Sequence, residues 1–111
     1  MLFLFMALEA SAQFDPKNPK IKSMTASDIQ AWSQKNIAEW KKVFGQDLEK
    51  WTPVQMEFYG AVRVAGLTPE QKKKYMNYTD ADWEKEFKGS MDTWKIEQML
   101  FFSAIQELLA Q

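Results

Sequence analysis

At about 100° of rotation per residue, Ile29, Trp32, Ile37, Trp40, Val43, Phe44 and Leu48 fall on one arc of about 160°, wide enough for a core-facing stripe. Lys35, Glu39 and Lys42 lie opposite. This pattern predicts an amphipathic helix from Ala26 to Lys50, bent at Gly45. The stretch Pro53 to Ala65 is apolar nearly all round, with Val54, Met56, Phe58, Tyr59, Val62 and Val64 on different sides. A helix of that kind is packed on several faces, so it is expected at the centre. Two short helices, Pro69 to Asn77 and Asp80 to Lys88, lead to a long one from Met91 to Leu109. There Trp94, Phe101, Phe102, Ile105, Leu108 and Leu109 share a stripe. No stretch alternates with period two, so strands are not expected.

The starts of these helices are written in one grammar. Thr52-Pro53-Val54-Gln55 and Thr68-Pro69-Glu70-Gln71 each place Thr at the N-cap, Pro at the first helical position, where no donor is needed, and Gln where it reaches back to the cap's N–H. Thr25 with Asp28 and Thr79 with Asp82 follow it more loosely, and Ser90 is read as the last cap. Gly66 and Gly89 stand where helix ends favour a positive φ. The two T-P-x-Q stretches are thus punctuation, and no other internal repeat is read. The predicted fold is all-α: a compact bundle of about five helices, three longer and two short, behind an extended N-terminal segment.

Leu67 to Gln71 also resembles the LTxxQ signature of a family of small helical periplasmic stress chaperones. That resemblance implies a chaperone-like alternative, although capping accounts for every residue but the leading leucine.

Residues 1–12, MLFLFMALEASA, resemble the end of an export signal: a short apolar run, then small residues at Ala10 and Ala12 ahead of Gln13. The basic start of such a signal is missing, and Glu9 interrupts it. The run is too short to span a bilayer, which takes about 20 apolar residues. Residues 13–22 contain Pro16 and Pro19 and read as an extended linker. Residues 23–111 then form a single helical domain. An exported protein, periplasmic or secreted, is expected, without membrane association beyond the N-terminal segment.

Composition narrows the chemistry. The chain of 111 residues has no Cys and no His. That removes disulfides, thiolate and Ser-His catalysis, and most zinc and haem sites. With 14 basic and 15 acidic side chains, no basic excess marks nucleic-acid binding. Lys72-Lys73-Lys74 reads as a solvated face. Asp80, Asp82, Glu84 and Glu86 fail as a calcium loop, because Lys85 and Met91 stand where Gly and a bidentate acid would be needed. No metal and no cofactor are expected. Five Trp, eight Phe and three Tyr supply large apolar areas to a small core. Trp32, Trp40 and Trp94 lie on core stripes, and Trp51 is read as a hydrophobic staple closing onto Met56.

Two sets of residues are candidates for a site. Ser33, Asn36 and Gln98 are polar within apolar stripes, and Arg63, the one arginine of the chain, stands beside Tyr59 in the most apolar helix. Ser33, Asn36, Tyr59, Arg63 and Gln98 could line a polar pocket in which Arg63 holds an anionic head group. Alternatively they satisfy one another: Ser33 bonds back to a carbonyl, Asn36 and Gln98 pair across helices, and Arg63 snorkels past Tyr59. Ile96, Met99 and Leu100 lie off the last helix's stripe, so they pack on a second neighbour or form a partner surface. The function expected is a small, exported, non-catalytic binding protein whose partner is a protein or an apolar small molecule. The alternative is an accessory subunit docking on a larger complex through its last helix. An enzyme working with carboxylates, Lys or Tyr ranks last.

Overall fold

A computed structural model describes residues 15–111; the export-signal reading of residues 1–12 lies outside them. Among the described residues there are six α-helices and no strand: α1 (Ala26–Ser33), α2 (Ile37–Phe44), α3 (Pro53–Ala65), α4 (Pro69–Met76), α5 (Asp80–Phe87) and α6 (Ile96–Ala110). Short 3-10 turns at Ile21–Ser23, Leu48–Lys50 and Met91–Thr93 precede α1, α3 and α6. The chain is all-α, as its periodicity predicts.

The cap grammar holds at the four threonines read as caps. Thr25, Thr52, Thr68 and Thr79 accept from the backbone N–H three residues on, and Asp28, Gln55, Gln71 and Asp82 return the bond. The single helix expected over Ala26 to Lys50 is instead two helices and a turn. Asn36 is the reason: its Oδ1 accepts from Glu39 N at 2.9 Å and Glu39 accepts from Asn36 N at 3.0 Å, a full capping box that starts a new helix. Gly45, at φ 67°, then ends α2 in the left-handed region. The last helix starts at Ile96 rather than Met91, because Gln98 Oε1 accepts from Lys95 N at 2.8 Å. Ser90 begins the 3-10 turn Met91–Thr93 and caps no α-helix. Nor do Gly66 and Gly89 adopt positive φ. Gly45 and Lys88 do, whereas Gly66 is helical at φ −82° and lies so close to Ser33 that a Cβ would collide with it.

The expectation of no further repeat is corrected most. Thr25 and Thr68, Trp40 and Trp83, Phe44 and Phe87, Trp51 and Trp94, Gln55 and Gln98, Met56 and Met99, Phe58 and Phe101 each stand 43 positions apart. The structure repeats with them: α1, α2, the Leu48–Lys50 turn and α3 correspond in order to α4, α5, the Met91–Thr93 turn and α6. Ring geometry is copied too. Trp40 to Phe58 and Trp83 to Phe101 are both 6.0 Å. Trp40 to Tyr59 is 5.1 Å and Trp83 to Phe102 is 5.2 Å. Phe44 to Trp51 is 4.8 Å and Phe87 to Trp94 is 4.9 Å. Trp51 Nε1 donates to Gln46 O at 3.0 Å, as Trp94 Nε1 does to Gly89 O at 2.8 Å. Trp51 therefore closes onto Phe44 and Tyr59 in the core, whereas the sequence pattern gives it Met56 as partner. The chain is a tandem pair of helical units, each with its own aromatic cluster, the arrangement of a short repeat array.

The units join through α3 and α6, the most extensively packed pair of elements. Gly60 faces Ala104 and the Leu100 carbonyl, Leu100 packs on the first cluster, and Val64 and Leu67 pack on the second. Ile21 and Met24 lie 43 positions before Val64 and Leu67, and they pack on the first cluster in the same way. The N-terminal arm thus covers the first unit as the end of α3 covers the second. Pro19 is buried and Gln55 Nε2 donates to Pro16 O at 2.7 Å, so this segment is part of the packed domain.

The copied helix end at Lys88 carries a cost that its partner Gly45 lacks. A side chain at φ 62° costs about 1–2 kcal/mol, against about 0.5–1 kcal/mol for the extra entropy that glycine loses. Lys88→Gly is expected to raise stability by about 0.5–1 kcal/mol, seen as a higher urea midpoint at unchanged slope. Lys88→Ala should bring no gain.

Candidate functional site

The polar candidates are distributed over both units. Ser33 Oγ donates to Gln30 O at 2.9 Å and sits against Gly66. Asn36 caps α2 and Gln98 caps α6; they do not pair with each other. Tyr59 and Arg63 are brought together. Arg63 donates to the Tyr59 hydroxyl at 2.9 Å, and its guanidinium lies 5.3 Å from the centre of the Phe101 ring. The one arginine therefore bridges the units, with one flank on Tyr59 and the other over an aromatic face. Burial pushes the Tyr59 phenol above its ordinary value, with Arg63 opposing that shift. Two other groups are displaced. The Tyr78 hydroxyl donates to Glu86, which holds its phenol well above the ordinary range. Asp82, bonded by the Thr79 backbone N–H and hydroxyl, is held below the usual carboxylate range.

The apolar candidates divide. Leu100 is half-buried against the first cluster, where it meets the second neighbour foreseen for it. Ile96 and Met99 are 38% and 45% exposed, and Met91, not singled out by the sequence, is 46% exposed. Comparison between units gives these numbers meaning. Leu48, the counterpart of Met91, is only 7% exposed. Met56, the counterpart of Met99, packs on the first cluster. Gln55 is 4% exposed, with its amide nitrogen on Pro16 O. Its counterpart Gln98 is half-exposed, and its amide nitrogen has no partner among the described residues. At the start of α6 the second unit thus exposes Met91 and Met99 where the first unit buries Leu48 and packs Met56 on its cluster, whereas Ile96 is exposed as its counterpart Pro53 is. The 43-residue spacing of Gln55/Met56 and Gln98/Met99 is the sequence signal that leads to this difference.

Among the described residues, no helix is long and apolar enough to cross a membrane. No protein-family model, no curated protein and no solved structure matches the chain.

Proposed function

We propose that the chain is a small, exported, non-catalytic interaction protein, and that the start of α6 is where it meets a protein partner. The observation that carries this reading is the exposure of Met91, Ile96 and Met99 together on the unit whose twin covers Leu48 and Met56. Adjacent apolar side chains left in water beside a rigid helix favour association. The aromatic clusters supply that rigidity. The signal-like residues 1–12 support an exported address.

A photo-cross-linking residue at position 99, in cells expressing the chain at its natural level, tests the reading. The expected result is a discrete adduct, identified by mass spectrometry, that disappears with Ile96→Asp and does not form from exposed position 106. Absence of adducts at position 99, or the same adducts from both positions, would remove the support for docking at this face.

A further inference from the structure

We propose that the hollow beside the end of α2 is an anion site of the first unit, in which Lys41, Lys42 and Lys50 receive a phosphate group carried by a small soluble molecule or by a lipid headgroup. The site lies on the unit that does not carry the exposed start of α6, and it stands or falls apart from the docking reading.

The hollow has a volume of about 330 Å³ and is lined by Lys41, Lys42, Gly45, Gln46, Asp47 and Lys50. Gly45 ends α2 at φ 67° and turns the chain. A Cβ there would meet nothing within 4 Å, so this residue leaves bare backbone that a ligand can approach closely. The indole of Trp51, packed in the first cluster, holds the loop through its bond to Gln46 O at 3.0 Å. Lys50 N donates to Asp47 O at 2.8 Å, which closes the turn that carries Lys50.

The lining sets three ammonium groups against one carboxylate, that of Asp47, and Glu49 is not part of it. Among the described residues none of the three lysines is in an ion pair. The negative end of α2 accounts for Lys41 and Lys42 in its last turn, but not for Lys50, which comes from the next element. The twin unit shows that the fold does not require this cluster. Glu84 stands where the first unit has Lys41, Thr93 where it has Lys50, and Lys88 puts a side chain where it has Gly45. The kind of anion follows from the cations. An ammonium is a compact point charge on a flexible stem, whereas a planar carboxylate is met best by an arginine fork, and the one arginine lies at the joint between the units. A phosphate monoester carries about −1.5 to −2 charges near neutrality. It therefore gains more from three cations opposed by one acid than a singly charged carboxylate does.

The test is pyrophosphate titrated calorimetrically into the full chain at low salt, beside sedimentation with phosphatidylcholine vesicles made with and without phosphatidic acid. Lys41→Gln combined with Lys50→Gln should weaken binding about three- to tenfold, with the circular dichroism spectrum unchanged. Lys73→Gln combined with Lys85→Gln removes the same charge at exposed positions of the second unit and should leave binding as it is. Asp47→Asn should tighten it about twofold, and Asp92→Asn should not. Pyrophosphate binding with this pattern supports the site and a soluble source. Vesicle binding with this pattern, dependent on phosphatidic acid, supports the site and a headgroup. Equal losses from the two double variants, or binding to neither probe, would overturn the site. Neither result alters the adduct expected from position 99.

Discussion

Trp83→Ala should cost about 3–5 kcal/mol and leave the second unit without fixed packing. Trp83 is 1% exposed and is ringed by Tyr75, Tyr78, Phe87, Phe101 and Phe102 at 4.9–6.0 Å. Those five rings come from α4, the α4–α5 connection, α5 and α6, so the unit's three helices all close on the indole. Removing it leaves a cavity that neighbours held by two different helices cannot jointly fill. Against a typical total of about 5–15 kcal/mol for a domain, the loss is large. At about 4–8 °C per kcal/mol for a chain of this size, the thermal midpoint should fall by tens of degrees. Near-ultraviolet circular dichroism should lose intensity before far-ultraviolet signal does, since capped helices outlast side-chain packing. The twin substitution Trp40→Ala should cost less. The Trp40 Nε1 is buried without a partner among the described residues, and its removal relieves a penalty of about 1–3 kcal/mol. A Trp83→Ala midpoint within about 1 kcal/mol of the parent would mean that the cluster does not hold the unit together.

That asymmetry bears on how far a sequence of this kind can be read. Helix starts are legible because a cap is a local event: Thr, three positions and a carboxylate or amide decide it whatever the rest of the chain does. Asn36 with Glu39 is written in the same grammar. It is hidden because Ile37, Trp40 and Phe44 continue the arc begun by Ile29 and Trp32. Both helices face one cluster, so the apolar phase runs on through the break. For the same reason Asn36 and Gln98 read as pocket residues. A polar side chain within an apolar stripe is ambiguous until the helix boundary beside it is known, and here each boundary is made by the residue in question. The duplication is obscured by divergence at its visible positions. Gly45 stands against Lys88, Leu48 against Met91 and Pro53 against Ile96, so the T-P-x-Q stretches and the turn glycines do not recur at the true period. What recurs are the rings, one threonine cap, the glutamine and the methionine beside it, residues whose shape the core and the caps demand. The covered and uncovered faces are beyond sequence altogether, because only tertiary structure shows that Leu48 is buried and Met91 is not.

The joint between the units should fail most sharply at Gly60. A Cβ there would stand 3.0 Å from the Ala104 Cβ and 3.1 Å from the Leu100 carbonyl oxygen, the second of which is backbone and cannot turn aside. Alanine would add helix propensity of about 0.5–1 kcal/mol and meet a contact at the limit of what a small shift relieves. Leucine adds a side chain for which no space exists between α3 and α6. Gly60→Leu is therefore expected to cost about 1–3 kcal/mol or more and to separate the units, so that one thermal transition becomes two and the two-state description no longer applies. The duplication supplies the control. The counterpart of Gly60 is Ser103, and the counterparts of Arg63 and Val64 are Gln106 and Glu107, all exposed. The face of α3 that receives another helix is small and apolar at Gly60 and Val64 and lays Arg63 over the Phe101 ring, and the same face of α6 is polar and receives no helix among the described residues. Ser103→Leu should consequently change stability by no more than about 0.5 kcal/mol, although it introduces the same side chain at the same turn of the twin helix. Equal losses from the two substitutions would show that leucine disturbs each helix by itself. A loss confined to Gly60 would locate the coupling in the close approach of α3 to α6, the contact on which the placement of Gln98 and Met99 relative to the first unit depends.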